Sequence, residues 1–196
     1  MTEINRETRE TKIKCKLEIN GTGKSNIKTG VGFFDHMLEA LSKHSGMDLD
    51  LTCDGDLHVD AHHTVEDCGI VIGQALRKEI FPIEAVERYG NATVVMDEAA
   101  TTCALDLSNR PFLVYEVNVE GKVGEFDVEL AEEFFHAVSG NAGLTVHIIQ
   151  DRGRNKHHIL EASFKAFAVA LRRALVKNER LGIPSTKGVL WLNYLY

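Results

Sequence analysis

The chain has 196 residues, 44% hydrophobic and 26% charged, with a net charge of −7. That length can bury one large core or two small ones, and an acidic balance argues against a nucleic-acid-binding surface, which carries excess cations. No apolar run approaches the roughly 18 residues of a membrane span, and the charged N-terminus Met1-Thr2-Glu3-Ile4-Asn5-Arg6-Glu7 lacks the apolar centre of a signal peptide.

Residues 13–19 alternate apolar and polar, which predicts a half-buried strand, and Asn20-Gly21-Thr22-Gly23 is turn chemistry. Residues 33–41 have helical spacing, with Asp35 early and Gly46 as a stop. Residues 47–53 alternate again and end at Asp54-Gly55; a helix then opens at His62-His63-Thr64-Val65-Glu66, runs through Leu76 and closes at Pro82. Segments 92–96, 102–107 and 112–119 read as strands, with Gly121 and Gly124 in turns. A helix over 128–138, a strand over 144–149 and a long helix over 157–176 follow, before Gly182-Ile183-Pro184 and the polar Ser185-Thr186-Lys187-Gly188. Cys15, Cys53, Cys68 and Cys103 have no paired spacing and read as free thiols in a reducing compartment, which makes the cytoplasm the expected location.

The chain contains a repeat. His36, Gly46 and Asp50 stand 97 residues before Glu133, Gly143 and His147, while His62 and Glu66 stand 95 before His157 and Glu161. Both copies run helix, glycine stop, alternating strand, turn, His-His-x-x-Glu helix. The expected fold is a duplicated α+β unit with its sheet on one side and helices on the other. The first half spans residues 1–90 and the second 91–196.

On a helix, positions i and i+4 lie about 40° apart around the axis, whereas i and i+1 differ by about 100°. His62 and Glu66 can therefore grip one ion, as can His157 and Glu161, while His63 and His158 point elsewhere. Imidazole plus carboxylate without thiolate suits Mn, Fe, Co, Ni or Zn. His36 and Glu133 are matched by the repeat and raise the ligand count to eight, four for each of two ions, leaving open positions for catalysis. His136, one turn beyond Glu133, competes for that role. His44 reads as a substrate contact, His147 as structural, and Asp60, Asp67 and Asn155 as groups that could orient imidazoles. Arg88, Arg110 and Lys187 sit in turn-like sequence suited to a phosphate, although each alone also reads as a solvated cation. Glu10 and the Asp97-Glu98 pair are carboxylates near strand ends, either a general base or solubilising charge.

Phe33–Leu38, Asp60–Asp67, Met96–Ala99, Asp106–Pro111, Asn155–Ala166 and Ser185–Gly188 together resemble the imidazoleglycerol-phosphate dehydratase family, over essentially the whole chain. The resemblance implies a duplicated ferredoxin-like (ribosomal protein S5 domain 2-like) unit and dehydration of imidazole glycerol phosphate to imidazole acetol phosphate in histidine biosynthesis. It implies two divalent ions per active site, manganese foremost, and a homo-oligomer of 24 subunits with active sites at subunit junctions. His36, His62, His63, Glu66, His157, His158 and Glu161 map onto metal ligands of the family, and Glu133 stands where many members have His. Glu10 and His44 map onto catalytic positions, and Arg88, Arg110, Ser185 and Lys187 onto positions around the substrate. Asn109 replaces a frequent Gly and Val95 a frequent Pro. The expected route acidifies a carbon-bound proton by holding the substrate ring as imidazolate between two metals and passes through a diazafulvene-like intermediate. A metal-dependent hydrolase and a metal-storage assembly are the rival classes, separated by product analysis and by binding of a triazole phosphonate.

Overall fold

The computed structural model describes residues 1–186. The first sheet contains β1 (Thr2–Glu7), β2 (Thr11–Glu18), β3 (Ser25–Lys28) and β4 (Asp48–Gly55) in the order β1-β2-β4-β3. Strand β2 pairs antiparallel with β1 and β4, and β3 runs parallel to β4. Helix α1 (Gly32–Ser45) makes the parallel crossover and α2 (His62–Ile80) follows β4. The second half repeats this order. Strands β5 (Tyr89–Met96), β6 (Ala99–Asp106) and β7 (Phe112–Glu116) lead through the hairpin β8 (Lys122–Val123) and β9 (Phe126–Asp127) into α3 (Leu130–Ala142). Strand β10 (Thr145–Arg152) and helix α4 (Lys156–Ala174) complete it, with sheet order β5-β6-β10-β7 and β7 parallel to β10. The molecule is thus a duplicated α+β unit, as the repeat implied.

Local sequence explains most elements. In β2, Ile13, Cys15 and Leu17 are buried while Lys12, Lys14 and Lys16 face out. Helices α1 and α3 stop at Gly46 and Gly143, at φ 81° and 73°, and each glycine N–H bonds the carbonyl of the serine four residues back, Ser42 or Ser139. Asp35 in the first turn of α1 accepts the Thr29 N–H (2.9 Å) and hydroxyl (2.5 Å), tying the exit of β3 to the helix. Strands β1 and β3 escaped the pattern reading because each offers a single strongly apolar residue, Ile4 or Ile27, to the core. The last helix ends at Ala174, two residues before the expected Val176, and Val117–Val119 leave the sheet.

The halves interlock through their helices. Helix α1 packs on α4, and α2 on α3, so each motif helix meets the preceding helix of the other half. A Cβ on Gly69 would lie 2.8 Å from Ala137 Cβ and 3.0 Å from the Phe134 carbonyl, and one on Gly73 would lie 2.9 Å from the Val138 carbonyl. Glycine at both positions is what lets α2 and α3 approach closely. On α4 the matched residues are Phe164 and Ala168; Phe164 stacks on Phe134 with ring centroids 5.1 Å apart. One continuous core joins both halves. Cys15, Cys68 and Cys103 are buried, Cys53 half-buried, and all four are free; burial pushes the Cys15 and Cys103 thiols up to about 12. Among the described residues no helix is long and apolar enough to cross a membrane.

Candidate active site

The second motif opens α4. Asn155 caps the helix, its side-chain oxygen accepting the His157 N–H at 3.0 Å. His157 Nε2 then lies 3.1 Å from Glu161 Oε2, one turn on, and His36 Nε2 reaches the same oxygen at 3.6 Å from α1. The donor atoms of His36, His157 and Glu161 all fall within 4.8 Å of one another. Glu161 is 7% exposed, and its other oxygen accepts the Lys165 ammonium at 2.7 Å. Burial alone would raise the Glu161 pKa, but Lys165, His36 and His157 together bring it below the usual value. Two imidazole nitrogens and an ionised carboxylate suit a first-row divalent cation.

The first motif opens α2 in the same sense, with Asp60 accepting the His62 N–H at 2.8 Å. His62 Nε2 and Glu66 Oε2 stand 3.8 Å apart, both side chains close to half exposed. Glu133, the repeat partner of His36, is half-buried on α3, and His136 is exposed. Neither belongs to the gathered group, which is the one such cluster among the described residues.

The second histidine of each motif turns away and is held by a carboxylate. His63 Nδ1–H donates to Asp56 at 3.0 Å, which raises the imidazole pKa, while Nε2 lies 3.7 Å from Glu10 Oε1. His158 Nδ1–H donates to Glu98 at 2.8 Å, with Nε2 3.8 Å from Asp97. Glu98 also accepts the N–H groups of Asn155 (2.7 Å) and Arg154 (3.1 Å). The His158 bond and these two N–H groups depress its pKa to about 2. Each Nδ1 contact fixes a tautomer that leaves Nε2 as the available ligand atom.

A cationic group sits at the far end of α4. Arg88 donates to both oxygens of Asp106 (2.7 and 3.0 Å) and to the Pro184 carbonyl (2.7 Å), beside Ser185, and Arg110 lies 3.8 Å from the same carboxylate. Asp106 holds the Arg88 guanidinium pKa above its usual value. The Arg88 N–H bonds the Ala174 carbonyl, and α4 runs about 26 Å from His157 to that residue. One chain therefore keeps its second-motif histidines and its arginine pair at opposite ends of α4. His44 lies in the last turn of α1, its carbonyl accepting Arg172 at 2.9 Å. Burial, then Lys165 and Arg172, lowers its pKa. Lys187 lies outside the described residues.

Residues 29–171 match the family model for imidazoleglycerol-phosphate dehydratase. The chain belongs to the imidazoleglycerol-phosphate dehydratase family. It is 88% identical over 190 residues to a dehydratase of that name from Aliarcobacter butzleri, covering 97% of this chain and 100% of the relative. It is 65% identical over the same coverage to one from Sulfurovum sp.. Crystal structures of the Staphylococcus aureus and Pyrococcus furiosus enzymes superpose with TM-scores of 0.80 and 0.83 at 41% and 39% identity. These matches cover 91% and 95% of this chain and 100% of each solved one. The activity is dehydration of imidazole glycerol phosphate in histidine biosynthesis.

The groups expected from sequence to orient imidazoles have other partners in the structure, Asn155 in part. Asp67 meets no imidazole; it accepts from Arg6 and Thr11. Asp60 and Asn155 bind backbone N–H groups at their helix starts, and Asn155 also approaches His158 Nε2 at 3.5 Å. The residues that do hold imidazoles are Asp56, which sequence reasoning passed over, and Glu98, which it left undecided. Asp56 lies seven residues before His63 across an irregular loop, a separation with no periodic signature. Asn109 adopts φ 56°, in the left-handed region that favours glycine and tolerates asparagine, a physical reason for the glycine-to-asparagine exchange expected from the resemblance. Val95 is exposed on β5, a sheet edge where proline is also admissible.

Proposed function

We propose that the dehydration is metal-dependent, and that each motif supplies its first histidine and its glutamate to one ion and its second histidine to another. The observation that carries this reading is the convergence of His36, His157 and Glu161 within 4.8 Å. By the repeat, Glu133, His62 and Glu66 would hold the second ion, and His63 and His158, with Nε2 left available, would complete the two sets. When bound, divalent ions, manganese in this proposal, would lower the pKa of the substrate's imidazole by Lewis-acid action and so give the ring the electron density that expels the hydroxyl on the carbon beside it.

The chain's own residues do the rest. Glu10 takes the proton from the second carbon of the chain, next to the ring-bearing one, as general base. The hydroxyl on the ring-bearing carbon departs as water, with His44 as the proposed proton donor, and the enol product tautomerises to the ketone on the second carbon. Arg88, Arg110, Ser185 and Lys187 hold the phosphate and fix the orientation of the chain. A three-carbon chain between ring and phosphate cannot bridge the length of α4. This supports an active site completed by a second copy of the chain, in a closed homo-oligomer for which we propose 24 subunits.

Glu10→Gln tests the base. It should keep its metal content and lose turnover by at least about a hundredfold, measured as ketone formation. Full turnover with intact metal content would remove Glu10 from the role.

A further inference from the structure

Each half fastens a hairpin to its motif helix, but with different chemistry. In the second half the tie starts from the hairpin: Glu98, at the β5–β6 turn, accepts from His158 and from two N–H groups ahead of α4. Its carboxylate is committed to that task. In the first half the tie starts from the helix. Asp67, next to Glu66 on α2, is 6% exposed. One oxygen accepts the Thr11 hydroxyl at 2.5 Å, and the other accepts Arg6 Nε and Nη2, each at 3.0 Å.

Arg6 belongs to β1 and Thr11 opens β2, so Asp67 holds both legs of the hairpin whose tip carries Glu10. The tip backbone is held too. Thr8 Oγ1 accepts the N–H of Glu10 (3.1 Å) and of Thr11 (3.0 Å), and the Glu10 carbonyl accepts the Asp56 N–H at 3.0 Å. The Glu10 carboxylate is left out of this scaffolding and stands 3.7 Å from His63 Nε2. At the position matching Asp67, α4 has the fully buried Ala162, so the clamp is not duplicated. A buried carboxylate is weak as a source of stability, and hydrophobic packing already serves at that position in the second half. What the clamp adds is a defined place for one side chain.

We infer that Asp67 is a positioning residue, acting through Arg6 and Thr11 to hold the Glu10 carboxylate beside His63. The inference rests on the reading of Glu10 as the base. A double-mutant cycle on the metal-loaded enzyme tests it. Thr11→Val removes the hydroxyl at nearly constant volume, and Asp67→Asn removes the charge. Each should lower kcat about tenfold to a hundredfold, the cost of misplacing a reacting group by about an ångström, with KM and metal content per chain unchanged. In a Glu10→Gln background, neither change should lower kcat further.

Three results overturn the inference: an equal fall in kcat in the Glu10→Gln background, unchanged kcat in Thr11→Val, or a fall that tracks lost metal. Should Asp67→Asn fail to fold, Thr11→Val carries the cycle alone. The two levels separate cleanly. A fully active Glu10→Gln overturns the base assignment and the clamp with it, whereas a Glu10→Gln slowed as expected, on which Thr11→Val causes its full further fall in kcat, overturns the clamp alone.

Discussion

At the α1–α4 contact, His36 faces the first turn of the motif helix, and three donor groups gather before any cation arrives. At the α2–α3 contact, which the repeat makes equivalent, the matching residues are Glu133, His62 and Glu66, and Glu133 does not join the other two, which stand 3.8 Å apart. Two substitutions account for this. Glu133 puts a carboxylate where His36 puts an imidazole, so closing on Glu66 would bring like charges together. Glu161 has Lys165 one turn on as a neutralising partner at 2.7 Å, whereas Glu66 has Ile70 there. Duplicated backbones thus gather three candidate donors at one contact and leave the matching three ungathered at the other; in the proposed reading a cation would draw the second set closed.

The largest effect should come from the carboxylates. Glu161→Gln is expected to weaken the metal bound at the α1–α4 contact by about a hundredfold or more, and Glu66→Gln by less, in calorimetric titration of metal-free protein. Equal losses would break the comparison. Helix packing comes next. Gly69→Ala should destabilise the α2–α3 contact by about 1–3 kcal/mol, offset in part by helix propensity, read from denaturant midpoints at an unchanged slope.

Glu133→His would sharpen the contrast by making the two contacts alike. Metal titration of the parent chain should be biphasic, with steps separated about tenfold, and the variant's two steps should merge. A curve for the parent with one step would show that pre-formation does not govern affinity. The smallest effect is the acid response of the Glu98 tie. Its pKa is depressed in the folded chain to about 2, from 4.5. Its contribution is therefore fully present above about pH 4.5 and is lost as pH falls towards 2. The stability difference between the parent and Glu98→Gln, both metal-free, should shrink across that window.

Particular residues show how far the sequence could be read. The two motifs were legible because i and i+4 share a helix face whatever surrounds them, and the glycine stops because Gly46 and Gly143 take a backbone conformation that glycine favours. Edge strands β1 and β3 were not, since one apolar residue carries no period. The Arg88–Asp106 pair was also hidden. It exists because the β5–β6 register sets Tyr89 opposite Asp106, a fact of pairing that no local pattern contains. Asp67 was misread for the same reason: its proximity to the histidines in sequence suggested an imidazole partner, whereas its rotation on α2 aims it at the β1–β2 hairpin.

The sequence by itself determined the duplication, the α+β class, the two His-His-x-x-Glu motifs and the kind of ion such residues suit, because these depend on spacing along single elements and on ligand chemistry. Only the tertiary structure decided that α1 faces α4 and α2 faces α3. It alone showed that Asp56 and Glu98 hold the second histidines and that Asp67 clamps the hairpin carrying Glu10. Those contacts join residues far apart in the chain, and their geometry follows from strand register and from how closely helices can approach where glycine replaces a side chain.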